Sequence, residues 1–367
     1  MGSPARVVFL LQDLKFGGTQ RQTLELTRHL DPERFQVELW MLMAGDDLAP
    51  VAQSLDIPLV WLSRDSWVSP ASLARLWRRL RRTPVDVLVL LTVVPNIWGR
   101  ILGRLAGVPW IIGNCRGGAG PWRQHERWLW PLADYIICNS GAIKMLLSNH
   151  YRVPPARLRV IHNGVDLDYF LPPVAAPRGN PARVLSVARL VPDKDHRTLI
   201  RAFRLVAGDH PDAELWLVGD GPEEKAIRQL AAEILPPGKV RFFPSQEDPR
   251  PFFQQAGLFV LSSVHEAFPN VVLEAMATGL PVVATRVGGL PEMVAPGETG
   301  WLAPPRDPVA LAAAISKLLA DPQTMREFGA AGQRRVARCF PLAAMVRAHE
   351  DLLENLSKER RPQRPRL

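Results

Sequence analysis

Short apolar runs recur along the chain, and few of them alternate with polar residues. In the first half they read RVVFLLQ, FQVELWML, IPLVWLS, DVLVLLT, PWIIGN, DYIICN and LRVIHN. Unbroken Val, Ile and Leu suit strands covered on both faces, which predicts a parallel sheet. Between the runs lie stretches with helical spacing, such as TQRQTLELTRHL and PASLARLWRRLRR. The pattern restarts at ARVLSVARL, after the Pro-rich segment LPPVAAPRGNP, and continues with AELWLVG, KVRFFP, LFVLSS and PVVAT. Strands alternating with helices on both sides of such a break predict an α/β chain with two separately wound, Rossmann-like domains.

The expected division is residues 1–172, an acceptor-side domain, and 173–340, a nucleotide-binding domain, joined near 171–181. A length of 367 residues agrees with two cores. A last helix, LAAMVRAHEDLLENL within 341–357, is expected to pack back across the interface, and 358–367 form a basic disordered tail. Ligands of wound sheets bind beyond the carboxyl ends of the strands, so a cleft between two facing domains is the expected site.

Composition narrows the class without naming a chemistry. Hydrophobic residues make up 47% and charged residues 22%, as in soluble globular proteins. Cys115, Cys138 and Cys339 show no CxxC pairing, so buried free thiols in a reducing compartment are expected. MGSPARVVFLLQ lacks a small-residue cleavage pattern and reads as a first strand, and no window has the length of a spanning helix. A cytoplasmic protein is the expectation. The net charge of +9 is uneven: residues 1–176 carry 20 basic against 14 acidic groups, 177–357 carry 20 against 21, and the last ten carry 5 against 1. An anionic surface is the natural partner of that tail.

The stretch HEAFPNVVLEAMATGLPVVAT sets Glu266 and Glu274 on either side of a Pro-Asn step. Glu266 follows the strand GLFVLSS, Asn270 suits a helix N-cap, and Gly279 suits the left-handed residue that ends the helix. Both carboxylates then lie near a helix N-terminus, a place that attracts anions. They would flank a phosphate and accept hydrogen bonds from sugar hydroxyls. The alternative is that Glu274 only complements the helix dipole and Glu266 is solvated.

LKFGGTQRQ places Gly17 and Gly18 between a strand and a helix, where a ligand can approach the backbone; the GxGxxG dinucleotide fingerprint is missing. VARLVPDKDHRTLI puts Arg189 at a strand end and Lys194 before a helix, two cations able to clamp a diphosphate. LVGDGPE is another strand end with a Gly-rich turn at Gly219. DLD at 166–168 has no accompanying carboxylate cluster or histidine pair and reads as structural, so no metal is expected.

The ordered set FGGTQRQ, VIHNGVD, SVARLVPDKDHRTLI, LVGDGPE and SSVHEAFPNVVLEAMATGLPVVAT…GGLPE resembles the retaining nucleotide-sugar glycosyltransferases of family 4, which have the GT-B fold. The resemblance implies a metal-independent transfer from a nucleoside-diphosphate sugar, a UDP-sugar on family tendency, with no cofactor. It assigns Arg189, Lys194 and Glu266 to catalysis, and Gly17, Gly18, Phe268, Pro269, Asn270, Glu274 and Gly219 to the donor. Glu274 would bind the ribose while Glu266 orients the transferred sugar.

Two departures stand out. Relatives carry histidines after the fourth strand where this chain has Val89 and Leu91, leaving Asn96, Asn114 or Arg116 as acceptor-side candidates. Pro244 and Ser245 replace a glycine near the base. For the acceptor, the Arg-rich helix and PWRQHERWLWPLADY, with Trp122, Trp128, Trp130, Arg123 and Arg127, suit an anionic membrane face and a glycan or lipid-linked acceptor; core tryptophans and solvated arginines are the alternative. A hydrolase or epimerase of the same fold and a catalytically silent scaffold remain as rivals. No RNP motif or zinc-finger spacing supports nucleic-acid binding.

Overall fold

The computed structural model of the protein describes residues 3–117, 124–170 and 182–358. The expected linker, the basic tail beyond Lys358, Trp122 and Arg123 lie outside the described residues. Two compact units emerge, residues 1–163 with 342–367, and residues 164–341.

The first unit holds a seven-stranded parallel sheet: β1 (Ala5–Leu11), β2 (Phe35–Met41), β3 (Leu59–Trp61), β4 (Val87–Leu90), β5 (Trp110–Cys115), β6 (Tyr135–Cys138) and β7 (Leu158–Val160). Its order is β3-β2-β1-β4-β5-β6-β7. Successive residues of β1 feed opposite faces: Val7, Phe9 and Leu11 join one core, and Val8 and Leu10 the other. This explains the unbroken apolar runs, because neither face is left to solvent.

The second unit holds six parallel strands: β8 (Arg183–Val187), β9 (Glu214–Val218), β10 (Val240–Phe243), β11 (Leu258–Leu261), β12 (Val282–Thr285) and β13 (Gly300–Ala303), in the order β10-β9-β8-β11-β12-β13. Leu185, Phe259 and Leu261 pack on one face, and Val184, Leu258 and Val260 on the other.

The sequence pattern missed β13. It has four residues, begins with glycine and lies at the sheet edge, with Trp301 and Leu302 only half-buried. The unit boundary also differs from the linker composition. Gly164 to Phe170 go with the second unit: the Val165 N–H donates to the Phe340 carbonyl at 3.1 Å, and the Phe170 ring meets Phe253 edge-on at 6.4 Å.

The last helix, Leu342–Lys358, follows the second unit in sequence but packs in the core of the first through Leu342, Met345, Val346, Leu353 and Leu356. Glu350 accepts from the Asp31 N–H at 3.0 Å and pairs with Arg34 at 3.3 Å, which fixes the helix register. Cys115 and Cys138 are buried as expected, whereas Cys339, on the outer face of the helix Pro322–Cys339, is exposed. No described helix is long and apolar enough to cross a membrane.

Candidate functional site

The order of the second sheet reverses between β8 and β11, the point where wound sheets place their ligands. Lys194 follows β8 and Glu266 follows β11, and their side chains form an ion pair. Glu266 Oε1 also accepts from the Ser263 hydroxyl at 2.7 Å. Ser263 is itself held through its carbonyl by the Thr285 hydroxyl at 2.5 Å, so the end of β12 helps to aim Glu266.

The segment carrying Lys194 is tied to β11 by its backbone. The Ser262 hydroxyl donates to the Lys194 carbonyl at 2.9 Å, and the Val264 N–H donates to the Asp193 carbonyl at 2.8 Å. Asp195 adopts φ +45° and caps the helix His196–Asp209, accepting from the Thr198 N–H at 3.2 Å and its hydroxyl at 2.7 Å. A left-handed aspartate is costly, and its capping bonds offset that cost.

Behind the pair lies His196, buried, with Nδ1 lacking a hydrogen-bond partner among the described residues. Burial, reinforced by the Lys194 charge, holds this imidazole down at about 4, so it stays neutral beside the cation.

Arg189 projects into solvent just after β8. Gly219 lies against the same segment: a Cβ there would sit 2.1 Å from the Ala188 carbonyl oxygen, and its φ of +146° suits glycine alone. The Leu190 N–H donates to the Asp220 carbonyl at 2.9 Å. Asp220 and Ser245 bond reciprocally, Ser245 N–H to carboxylate at 2.9 Å and Asp220 N–H to hydroxyl at 3.1 Å. The Ser245 departure therefore ties the ends of β9 and β10 together.

Glu274 lies in the second turn of the helix Asn270–Ala277, half-buried. Asn270 is the first helical residue and not the N-cap; Pro269 occupies the cap position with extended dihedrals and makes no side-chain cap bond. Proline fixes the entry one residue earlier than the Asn preference implies, and has no side-chain oxygen with which to cap the first turn. Phe268 is buried against Phe340, with ring centroids 5.2 Å apart, so it anchors the loop. Gly279 ends the helix with φ +82°, as expected. Gly288 was not singled out in the sequence: at φ +52°, an added Cβ would fall 1.6 Å from the Glu266 carbonyl oxygen.

In the first unit the sheet order reverses between β1 and β4. A pocket of about 170 Å³ opens beyond these strands, lined among others by Thr19, Thr92, Asn96, Asn114, Arg116 and His125. Gly17 and Gly18 begin the helix Gly18–His29 that supplies Thr19. Gly17 is extended, so its backbone does not demand glycine. Leu91 lines the pocket and Val89 is buried in the core.

The three acceptor-side candidates are together, in different states. Asn96 is spent within the protein: its Nδ2 donates to the carbonyls of Leu90, Thr92 and Asn114 at 3.2, 2.9 and 3.1 Å, and Oδ1 accepts from Arg100 at 3.0 Å. It straps β4 to β5. Asn114 Oδ1 accepts from Arg116 Nε at 3.2 Å, but its buried Nδ2 has no partner among the described residues. Arg116 is half-buried, and burial lowers its pKa to about 10, leaving it cationic at neutral pH.

A buried ion pair missed in the sequence stands beside this pocket. Arg100 grips Glu126 with two bonds of 2.8 and 3.0 Å, and both side chains are inaccessible to solvent. Burial alone would raise the Glu126 pKa; the Arg100 charge and contacts from His125 and Arg100 outweigh it and hold the carboxyl at about 2. With partners separated by 26 positions, no local spacing signals the pair.

In the DLD stretch, Asp166 accepts from the Tyr169 N–H at 3.1 Å. Of the tryptophans, Trp40 and Trp110 are core, Trp130 is half-buried and Trp128 is 75% exposed beside the exposed Arg127.

Residues 171–335 match the family model described as Glycosyl transferases group 1, and residues 16–169 match Glycosyltransferase Family 4. The lipopolysaccharide core biosynthesis glycosyltransferase LpsE of Rhizobium meliloti is 33% identical over 223 residues, 60% of this chain and 64% of that protein. A D-inositol 3-phosphate glycosyltransferase of Streptomyces avermitilis is 34% identical over 227 residues, 57% of this chain and 49% of that protein. The matched stretch thus spans between about half and just under two thirds of these curated relatives.

The fold is shared with Anabaena HepE in complex with UDP-glucose, at a TM-score of 0.84 and 21% identity over 95% of this chain and 99% of that one. Sucrose-phosphate synthase from Thermosynechococcus elongatus gives 0.81 and 22% over 96% and 99%. With a glycosyltransferase family model matched on each half of the chain, residues 16–169 belong to Glycosyltransferase Family 4 and residues 171–335 to Glycosyl transferases group 1, on a GT-B fold.

Proposed function

We propose that the chain transfers a sugar from a UDP-sugar to a glycan or lipid-linked acceptor, with retention of anomeric configuration and without a metal ion. The observation that carries this reading is the Lys194–Glu266 pair at the switch point of the second sheet, with Arg189 after the same strand. The diphosphate would lie between Arg189, Lys194 and the N-terminus of the helix Asn270–Ala277, a cationic cradle for the charge that develops as the bond from anomeric carbon to diphosphate breaks. Glu266 would share Lys194 with the phosphates and accept from hydroxyls of the transferred sugar, while Glu274 accepts from the ribose. The acceptor hydroxyl attacks from the same face, and a leaving phosphate oxygen takes its proton.

HepE in complex with UDP-glucose, and the names of LpsE and the D-inositol 3-phosphate enzyme, support this donor and acceptor chemistry. A cytoplasmic protein resting on an anionic membrane face is part of the proposal, supported by exposed Trp128 next to Arg127. Salt-independent failure to sediment with anionic liposomes would remove that part alone.

The test is a thermal-shift panel of UDP, GDP and ADP. Saturation at 100 times the dissociation constant adds about 2.7 kcal/mol, a shift of several degrees. Selective stabilisation by UDP, lost in Lys194→Ala and Glu274→Ala, supports the proposal. No response to any nucleotide contradicts it.

A further inference from the structure

The first-unit pocket is lined by a guanidinium, Arg116, and by amide and hydroxyl side chains, with no carboxylate among the described residues. Among the described residues Arg116 has no carboxylate partner; its Nε and Nη1 reach the amide oxygens of Asn114 and Asn163, at 3.2 and 3.4 Å. A half-buried guanidinium balanced by neutral amides alone is costly to hold in a protein, and an incoming anion relieves that cost. Asn114, 3% exposed, lines the pocket with a buried Nδ2 that finds no partner among the described residues. Its Oδ1 is already taken by Arg116, so what this side chain has left to give is a donor.

The pocket also meets the starts of two long helices, Gly18–His29 through Thr19 and Val93–Ala106 through Thr92, neither with an acidic residue in its first turn. These ends add positive potential on the same side. The nearby carboxylate, Glu126, does not oppose it, because Arg100 and His125 already hold its charge.

Sugar hydroxyls are usually met by carboxylates that accept from them, and none lines this pocket among the described residues. A cation and a spare amide donor with no facing carboxylate call for a ligand made of acceptors. We propose that this pocket is an anion subsite which receives a phosphate group of the acceptor, bound by Arg116 and Asn114 Nδ2. The assignment of the phosphate to the acceptor rests on the reading of the first unit as the acceptor side; the anion site itself does not.

The test uses the full chain and inorganic phosphate, with chloride matched for ionic strength and UDP saturating, so that the Arg189–Lys194 region is occupied. Phosphate should raise the unfolding midpoint. Asn114→Asp, which puts a charged acceptor where the free donor stands, and Arg116→Gln should each weaken the apparent phosphate affinity at least tenfold. Arg116→Lys should retain part of it, and the UDP response of each variant reports that it is folded. A second arm replaces phosphate with phosphatidylglycerol vesicles: sedimentation lost in both variants assigns a lipid-borne phosphate, and sedimentation unchanged beside a variant-sensitive phosphate response assigns a soluble one.

An unaltered phosphate response in Asn114→Asp and Arg116→Gln overturns the proposal. So does a wild-type response that disappears when UDP is bound, since the anion would then belong to the donor. A phosphate response without any UDP response would contradict the proposed donor and leave the anion subsite standing.

Discussion

Replacing Lys194 by methionine separates what the ion pair does for the fold from what it does for the ligand. Glu266 is 8% exposed at its side chain and would keep the bond from the Ser263 hydroxyl, while the Lys194 side chain is 24% exposed. Breaking a fully buried pair costs about 3–5 kcal/mol, and an exposed one about 0–1. This pair lies between, so Lys194→Met should destabilise the protein by about 2 kcal/mol, a fall of roughly 4–8 °C in midpoint for a unit of this size.

Adding Glu266→Gln removes the stranded charge, and the double variant should regain most of that loss. Ligand binding should behave differently. A charge-assisted contact to phosphate is worth about 1.5–3 kcal/mol, so UDP should bind roughly ten- to a hundredfold more weakly in Lys194→Met, and the second substitution should not restore it. Thermal unfolding and calorimetric titration with UDP read the two effects. A single variant as stable as the wild type, or a double variant with wild-type UDP affinity, would refute the reasoning.

Acid should destabilise both units. His196 and His349 are buried, and desolvation first of all, with Lys194 and Arg116 respectively adding to it, holds each at about 4. The unfolded chain therefore binds more protons between about pH 6.5 and 4; stability is complete above that window and falls through it, by up to about 3 kcal/mol per ring. Denaturant titrations of wild type and His349→Gln should show a shallower loss in the variant, and equal slopes would contradict the account. Gly288→Ala forces a Cβ to 1.6 Å from the Glu266 carbonyl oxygen at positive φ, and should cost about 3 kcal/mol and weaken UDP binding; a neutral outcome would mean that the loop is free to move. Arg100→Met should cost about 3–5 kcal/mol by leaving Glu126 buried and charged, while Arg100→Met with Glu126→Leu recovers most of it, as chemical denaturation would show.

Much of the fold was legible because both sheets are buried on both faces, which writes each strand as an apolar run. The edge strand Gly300–Ala303 was not, since four residues with half-buried side chains carry too little pattern. Glu266, Lys194 and Arg189 could be placed from strand ends, and the Lys194–Glu266 contact joins two of them. Their supports could not. Ser263 and Gly288 act through a bond and a close approach that only the folded loop creates. Asn96, a candidate for the acceptor, turned out to spend its amide on strand ends, and Arg100 and Glu126 meet across 26 positions with no local signature. Asn270 missed the cap by one position because Pro269 fixes the entry to its helix.

The most direct measurement is hydrogen–deuterium exchange of the full chain with and without saturating UDP. Protection should concentrate in peptides covering residues 187–195, 217–221 and 262–274, the three segments that carry Arg189, Lys194, Gly219, Glu266 and Glu274. Exchange unchanged in all three, with or without protection elsewhere, would contradict the placement of the donor.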